Sequence, residues 1–498
     1  MVRDDHPELF QCPGERYQIH RSVCQGRQKR NYVKCAECPT RQALRDAEDK
    51  VKADRQKLGI FKAYDILGTY PDQLDETMAR RIGAATAQFL RGREIAVGRD
   101  MRTSSEPLAA ALIEGIVSTG TNVVDLGLIG TDMSYFAVGR YGYAGAVMTT
   151  ASHNPARYNG FKLSRENAMP IGGESGLANI QTILESGLTI AAERKGTVAR
   201  QDVYPSYKEH VLRFLKNIRP MRVVVDAGNG MAGKVFPFLF SHLPLEVTPL
   251  YFELDGRFPN HEASPLKAEN LRELQEKVVS SKAHLGVAFD GDGDRCVFVE
   301  ETGRTISADL VTALIARWLL TPSERAVVVY DLRSSHVVPE EISRAGGIPC
   351  QERVGHSFMK ATMRKRNAVF GGELAGHYYY RDNYFADSAM ITFALMLNIL
   401  TAQAEKPLSE VIAPLRRYSA TGEINFEVAD PDAKIREIAK RFAKGRMHYL
   451  DGITVEFDDW WFNVRKSNTE PLLRLNLEAH SPQMMEKARQ EVEAVIRA

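Results

Sequence analysis

Three stretches of the chain share one hydrophobic pattern. Residues 94–100 (EIAVGRD), 222–230 (RVVVDAGNG) and 326–335 (AVVVYDLRSS) are each a β-branched apolar run that ends in polar and small residues and leads into helix-like sequence. Within these runs apolar residues follow one another instead of alternating with polar ones, as expected for strands covered by helices on both faces. Three such openings at wide spacing predict three α/β domains of related design. From about residue 417 the pattern changes: EINFEV, ITVEF, WWFNVR and LLRLNLEA are strand-like and are flanked by helix-like stretches at 432–444 and 482–497. That predicts a separate α+β domain. In the first domain, SSEPLAAALIEGIVSTG predicts a helix with Ser105 as its cap, Pro107 in the first turn and Gly120 at its end.

Length agrees, because 498 residues exceed one hydrophobic core and the usual range of roughly 100–200 residues per domain implies three or four domains. Lys and Arg number 65 against 63 Asp and Glu, a formal charge of +2. No global field therefore draws the chain to nucleic acid or to a membrane, and any charged ligand must be held locally. The N-terminus, MVRDDHPELFQ, has no apolar core, and no later apolar run reaches the roughly 18 residues that span a bilayer, which predicts a cytoplasmic protein. Cys12, Cys24, Cys35 and Cys38 crowd into the opening segment. In a reducing compartment such clustering favours a metal over disulfides, and the C-x2-C spacing of Cys35 and Cys38 makes that metal Zn²⁺. Two other readings stand beside zinc: a solvated tail with free thiols, and nucleic-acid contact by the segment from Arg16 to Lys34, whose charges are all basic. Residues 39–57 read as a helix joining this segment to the body.

Candidate chemistry lies in four loops. AGAVMTTASHNPARYNGFK (144–162) ends an apolar run at Ser152. A hydrolase serine needs a G-x-S-x-G elbow and a base within reach; here the neighbours are Ala151 and His153, and a side chain at i+1 ordinarily points elsewhere. FDGDGDRCVFVE (289–300) alternates Asp290, Asp292 and Asp294 with glycines that let the backbone curl, so that three carboxylates can converge on one hard cation such as Mg²⁺. The spacing imitates an EF-hand, but Arg295 stands where that loop needs glycine and the flanks read as strands. Gly228, Gly230 and Gly233 spell G-x-G-x-x-G without a ribose-binding acid at the expected distance, and read as a tight turn opening a domain. VFGGELAGHYYYRD (369–382) brackets Glu373 and His377 with glycines, an acceptor and a switchable donor suited to a sugar, while RVGHSFMK upstream adds His356 and Lys360. NVRKSNTEPLLR (463–474) groups Arg465, Ser467, Asn468, Thr469 and Arg474, the guanidinium forks, hydroxyls and backbone N–H groups of a phosphate cradle. Each motif also has a plain reading as an acidic, glycine-rich or surface turn. Serine, metal, polyol reader and phosphate anchor together point to phosphoryl transfer through a phosphoserine.

In this order the four motifs resemble those of the α-D-phosphohexomutase family, in its phosphomannomutase/phosphoglucomutase branch, over about residues 58–498. The resemblance implies three related mixed-sheet α/β domains plus a C-terminal α+β domain in a heart-shaped arrangement, with segments 58–199, 200–304, 305–416 and 417–498 behind an extension of 1–57. It implies that Ser152 carries the phosphoryl group, that Asp290, Asp292 and Asp294 hold Mg²⁺ together with an oxygen on Ser152, and that Arg295 lies near the transferred group. It places Lys162 in proton transfer, His356 in the catalytic set, Glu373 and His377 on the sugar, and Arg465, Ser467, Asn468, Thr469 and Arg474 on phosphate. The reaction implied interconverts hexose 1-phosphate and hexose 6-phosphate of mannose or glucose through a bound 1,6-bisphosphate, with glucose or mannose 1,6-bisphosphate as activator.

Three positions depart from the family pattern. FKAYDILG (61–68) has Leu67 and Lys62 where arginines are common, and Ala375 replaces the usual serine of the sugar loop. The alternatives are a phosphoglucosamine mutase, a metal-dependent sugar phosphatase, and a regulatory or scaffold protein whose working part is the cysteine segment.

Overall fold

The computed structural model of the chain describes residues 9–11, 18–20, 23, 27, 59–187, 192–320, 325–403, 405–467 and 472–498. They fall into two units, Met1–Ile60 and Phe61–Ala498. In the first, strands Leu9–Gln11 and Gln18–His20 pair antiparallel. The expected linker helix at 39–57 and the candidate zinc ligands Cys12, Cys24, Cys35 and Cys38 lie outside the described residues.

The second unit repeats one strand order three times. In the first sheet Glu94–Arg99 lies between the parallel strands Asn122–Leu128 and Gly145–Thr149; Tyr158–Arg165 and Met169–Pro170 then follow antiparallel. In the second, Met221–Asp226 lies between Leu245–Leu250 and Leu285–Phe289, followed antiparallel by Cys296–Glu300 and Thr305–Ile306. In the third, Val327–Asp331 lies between Ile348–Glu352 and Phe370–Gly372, followed by Tyr378–Tyr380 and Ala386–Asp387. These are mixed α/β sheets of one design, as the three apolar runs predicted, and each run is the central strand of its sheet. Parallel strands gather ligands at their carboxyl ends. In every copy the turn from the third strand into the antiparallel fourth lies at that end, and these three turns are the serine loop, the acidic loop and the glycine-bracketed loop.

Helix Ala389–Ala402 is apolar on all sides and nearly every residue in it is buried, the signature of a core helix. Ser388 caps it by accepting the Ile391 N–H at 3.2 Å. One continuous apolar core joins this helix to all three α/β sheets, from Ala96 to Leu415. Among the described residues no helix is long and apolar enough to cross a membrane.

The last sheet is antiparallel throughout, ordered Ser419–Glu427, Leu472–Ala479, Trp460–Lys466, Ile453–Glu456, Arg446–His448, with helices Pro431–Arg441 and Pro482–Arg497. It is the predicted α+β segment, its first helix ending three residues early. The helix Ser105–Ser118 also forms, but Ser104 is its N-cap and Ser105 lies inside it. Asp100, at the end of the central strand, accepts the Ser105 hydroxyl at 2.5 Å and so takes it out of the capping role.

Candidate active site

The serine loop is held from its inner side by a single guanidinium. Arg102 donates to the backbone carbonyls of Ser152 (2.8 Å), Asn154 (2.6 Å), Pro155 (3.0 Å) and Tyr158 (3.1 Å), with Asp100 3.3 Å from its Nε. Carbonyls that would face a buried space unpaired are thereby satisfied. Ser152 adopts φ +51°, a left-handed conformation uncommon outside glycine and concentrated at functional sites. Its hydroxyl donates to Asp290 Oδ2 at 2.9 Å. The same bend brings His153 Nδ1 to 3.3 Å from the hydroxyl, contrary to the expectation that the neighbouring side chain points away. Arg295 first, and then burial and Lys162, hold the His153 imidazole well below its usual range.

The acidic loop is the turn of a strand hairpin, as its flanks predicted. Asp290, Asp292 and Asp294 are fully buried, and their carboxylate oxygens lie within 4.8 Å of one another. Burial first, then Asp292 and Asp294, push the Asp290 carboxyl well above the usual range. Lys162 Nζ lies 2.9 Å from Asp292 Oδ2 and 2.6 Å from Asp294 Oδ2, which leaves the Oδ1 atoms of both aspartates buried without a hydrogen-bond partner. Lone pairs stranded in this way cost about 1–3 kcal/mol each, or more when charged. A hard, oxygen-seeking cation such as Mg²⁺ fits this all-carboxylate set and would relieve both the stranded oxygens and the mutual repulsion. Close approach sets the spacing: a Cβ on Gly291 would lie 2.6 Å from the Ser152 carbonyl oxygen. Gly291→Ala is therefore expected to push serine loop and acidic loop apart, lowering thermal stability by about 1–3 kcal/mol and cutting turnover with Mg²⁺ more steeply than a surface Gly→Ala control does.

A second acid–imidazole group, Asp294, His377 and Asp387, also lies within 4.8 Å. It is neutralised internally: Asp387 binds His377 Nδ1 through one oxygen and Lys360 Nζ through the other, both at 2.8 Å. Lys360 is wholly buried, with its ammonium 3.7 Å from the centre of the Tyr135 ring in the first α/β sheet region. Lys360 stood out in the sequence; Asp387 did not, because nothing in NYFAD marks which acid folds inward. Glu373 accepts the Gly355 N–H at 2.9 Å and the Tyr379 hydroxyl at 2.6 Å, and its own N–H donates to the His377 carbonyl at 2.9 Å. The Cys296 N–H donates to the Gly376 carbonyl at 3.2 Å, fastening this loop to the strand that leaves the acidic loop. His356 opens the helix His356–Arg366 with Nε2 3.7 Å from Asp65 and its ring 6.3 Å from that of His377.

In the last sheet Arg465 and Arg474 meet Glu423, at 2.5 and 3.0 Å, and Arg333 from the third sheet reaches the same carboxylate at 3.7 Å. Three guanidiniums share one acid there, although Arg333 is also tied to Asp331 at 2.7 Å. Sequence reading missed Arg333; its signal was its place just past the central strand, the position Arg102 occupies in the first sheet. Ser467 closes its turn by donating its N–H to the Leu472 carbonyl at 2.8 Å, while Asn468 and Thr469 lie outside the described residues. Of the departures, Leu67 is half-buried in a strand paired with Gly160, Lys62 is exposed and Ala375 is half-buried.

One buried carboxyl beside the site makes stability depend on pH. Burial, with smaller contributions from Asp294 and Asp387, raises Asp132 from 3.8 to about 7 against the hydrogen bonds it accepts from Tyr207 and Ser388. Its folded pKa exceeds its unfolded one, so its stabilising contribution is full below pH about 4 and is lost as pH rises through about 7, a span worth at most about 4 kcal/mol. Melting temperatures from pH 5 to 8 should fall more in the natural protein than in Asp132→Asn; parallel curves would show that Asp132 does not titrate there.

Comparison with known proteins bears on all four domains. Sequence models of phosphoglucomutase/phosphomannomutase match in order: α/β/α domain I at residues 58–189, domain II at 205–303, domain III at 307–418 and the C-terminal domain at 423–495. A phosphomannomutase of Vibrio cholerae is 38% identical over 439 residues, 85% of this chain and 95% of the relative. A protein of Xanthomonas campestris described as phosphohexose mutases is 39% identical over 446 residues, 88% of this chain and 99% of its own. The crystal structure of a phosphoglucomutase/phosphomannomutase family protein from Burkholderia thailandensis superposes with a TM-score of 0.82 at 33% identity, covering 88% of this chain and 97% of that one. Likeness that runs through every domain and spans nearly the whole of each relative leaves one conclusion: the chain belongs to the phosphoglucomutase/phosphomannomutase family and is a phosphohexomutase.

Proposed function

We propose that the protein interconverts hexose 1-phosphate and hexose 6-phosphate, of mannose and/or glucose, by way of a phosphoserine at Ser152 and a bound hexose 1,6-bisphosphate. The observation that carries this reading is the hydrogen bond from the buried Ser152 hydroxyl to Asp290 Oδ2 at 2.9 Å, inside a three-aspartate cluster with stranded oxygens. Bound there through Asp290, Asp292 and Asp294, Mg²⁺ would supply charge neutralisation for phosphoryl transfer. Arg295, with its Nε 3.5 Å from Asp290, offers a guanidinium to the transferring group. Lys162, a buried ammonium touching two of the aspartates, takes the role of moving a proton at the serine oxygen or the sugar hydroxyl.

Glu373 and His377 read the sugar hydroxyls. His377 does so through Nε2, since Nδ1 is committed to Asp387 at 2.8 Å. The far phosphate is assigned to Arg465, Arg474 and Arg333 with Ser467, and the sequence motif adds Asn468 and Thr469. A bisphosphate intermediate that exchanges its two ends needs an anchor that accepts either phosphate, and a cluster of guanidiniums suits this because it reads charge and oxygen geometry, not the sugar carbon behind them. Ala375 removes a hydroxyl from the sugar loop and leaves more of the recognition to Glu373.

The test is conversion of mannose 1-phosphate, glucose 1-phosphate and glucosamine 1-phosphate to their 6-phosphates with Mg²⁺, with and without catalytic glucose 1,6-bisphosphate. Conversion primed by the bisphosphate supports the mutase reading, and the ratio of rates assigns the sugar. Net release of inorganic phosphate with no need for primer would replace it with a sugar phosphatase, and a clear preference for the glucosamine ester would move it to that branch.

A further inference from the structure

A cavity of 330 Å³ opens at the other edge of the second sheet. Arg222 is the second residue of its central strand, Lys282 and His284 precede strand Leu285–Phe289, and Glu301 follows strand Cys296–Glu300. The acidic loop at 290–295 leaves the opposite ends of the same strands. A strand of this length spans roughly 17 Å at about 3.3 Å per residue, so the cavity is separate from the phosphoryl-transfer site.

Four cations, Arg219, Arg222, Lys282 and Lys406, line it, and none of them has a carboxylate within ion-pair distance among the described residues. The acids nearby are already engaged. Glu301 accepts the N–H and hydroxyl of Ser409, and Glu300 pairs with Arg416 at 2.6 Å. The cations are also partly fixed in place. Arg222 donates Nε and Nη2 to the Lys282 carbonyl at 3.0 and 2.9 Å, across a turn in which Lys282 takes φ +51°. Arg219 reaches the Leu400 carbonyl from Nε at 3.4 Å. His284 Nδ1 accepts the Arg222 backbone N–H at 3.0 Å, which leaves Nε2 as the protonated donor of a neutral ring. Burial first, then Arg219 and Arg222, hold that imidazole below its usual range.

The rest of the wall is apolar. Leu400 and Leu408 form a buried floor, and Val279, 51% exposed, stands beside them as an uncovered apolar side chain. Four cations against one engaged acid call for a ligand with about three negative charges, and an apolar floor calls for an organic body attached to them. The volume is at the small end of the roughly 300–1,000 Å³ typical of ligand pockets. From this combination we infer that the cavity is a second ligand site, for a nucleoside diphosphate, with the diphosphate among Arg219, Arg222, Lys282 and Lys406 and the base over Leu400, Leu408 and Val279.

Calorimetric titration of the full chain with GDP and with ADP, in the presence of saturating hexose 1-phosphate, tests this. The expected result is saturable binding of at least one of them, one molecule per chain, weakened roughly 10-fold or more by Arg222→Ala and by Lys282→Ala, as loss of a charge-assisted contact predicts. Both side chains are exposed, so the variants should keep the parent melting temperature. Ser152→Ala should leave the affinity unchanged, and inorganic pyrophosphate should bind at least ~10-fold more weakly, for want of the apolar contact. Absence of saturable binding by either nucleotide, binding indifferent to Arg222→Ala and Lys282→Ala, displacement by hexose 1-phosphate, or pyrophosphate binding as tight as the nucleotides would each overturn the assignment.

Discussion

Ser152→Ala should abolish conversion of hexose 1-phosphate to hexose 6-phosphate, lowering kcat by roughly 10⁴-fold or more, as removal of a covalent nucleophile does in other group-transfer enzymes. The size follows from the role: alanine cannot carry a phosphoryl group, and no other hydroxyl is described as donating to Asp290. The fold should be almost untouched, since the lost hydroxyl makes one hydrogen bond at 2.9 Å, a contact worth about 1 kcal/mol. Two readouts separate chemistry from structure. Labelled phosphate from glucose 1,6-bisphosphate should enter the natural protein and not the variant, while both unfold within a few degrees of each other. A variant that turns over at the natural rate would remove Ser152 from the mechanism, whatever the family resemblance.

Asp292→Asn carries the second large effect, on Mg²⁺. The concentration of Mg²⁺ giving half-maximal activity should rise by at least the roughly 10–100-fold that loss of an outer-shell partner costs a metal site, because here the lost charge belongs to a proposed ligand. Asp292 Oδ1 is one of the stranded oxygens, and its Oδ2 accepts from both Lys162 and the Thr131 hydroxyl. Asparagine keeps the size and one acceptor but gives up the charge, so the acidic loop should stay folded. Lys162 would still have Asp294 at 2.6 Å. An Mg²⁺ activation curve that superposes on the natural one would mean that the cation, if used, is held elsewhere.

Much of the site was legible in the sequence for a physical reason. A loop that must bend sharply while presenting charge to one point has to mix glycine with acids or hydroxyls, and DGDGDR and GGELAGH do so in a few consecutive residues. Arg102 and Arg333 escaped notice because an arginine past a strand is an ordinary surface residue until its surroundings show that it is buried against carbonyls or an acid. Asp387 and Lys360 escaped assignment for a related reason. Their partnership joins residues 27 positions apart, with a ring from the first α/β region beneath the ammonium, and no local pattern encodes such a distance. The misjudged neighbour, His153, shows the limit of local geometry. The rule that i+1 side chains diverge assumes ordinary backbone, and Ser152 does not have it.

By itself the sequence determined the class of fold, the three repeated openings, the different C-terminal domain, and the residue types of each functional loop, because hydrophobic period and glycine placement are local properties written in consecutive positions. Only the tertiary structure decided that the serine, acidic and glycine-bracketed loops occupy the same turn in three copies of one sheet order and so meet as a site. The reason is that strand order in a sheet depends on which distant runs pair, and that pairing is settled by burial of the whole apolar core, to which no single stretch of sequence holds the key.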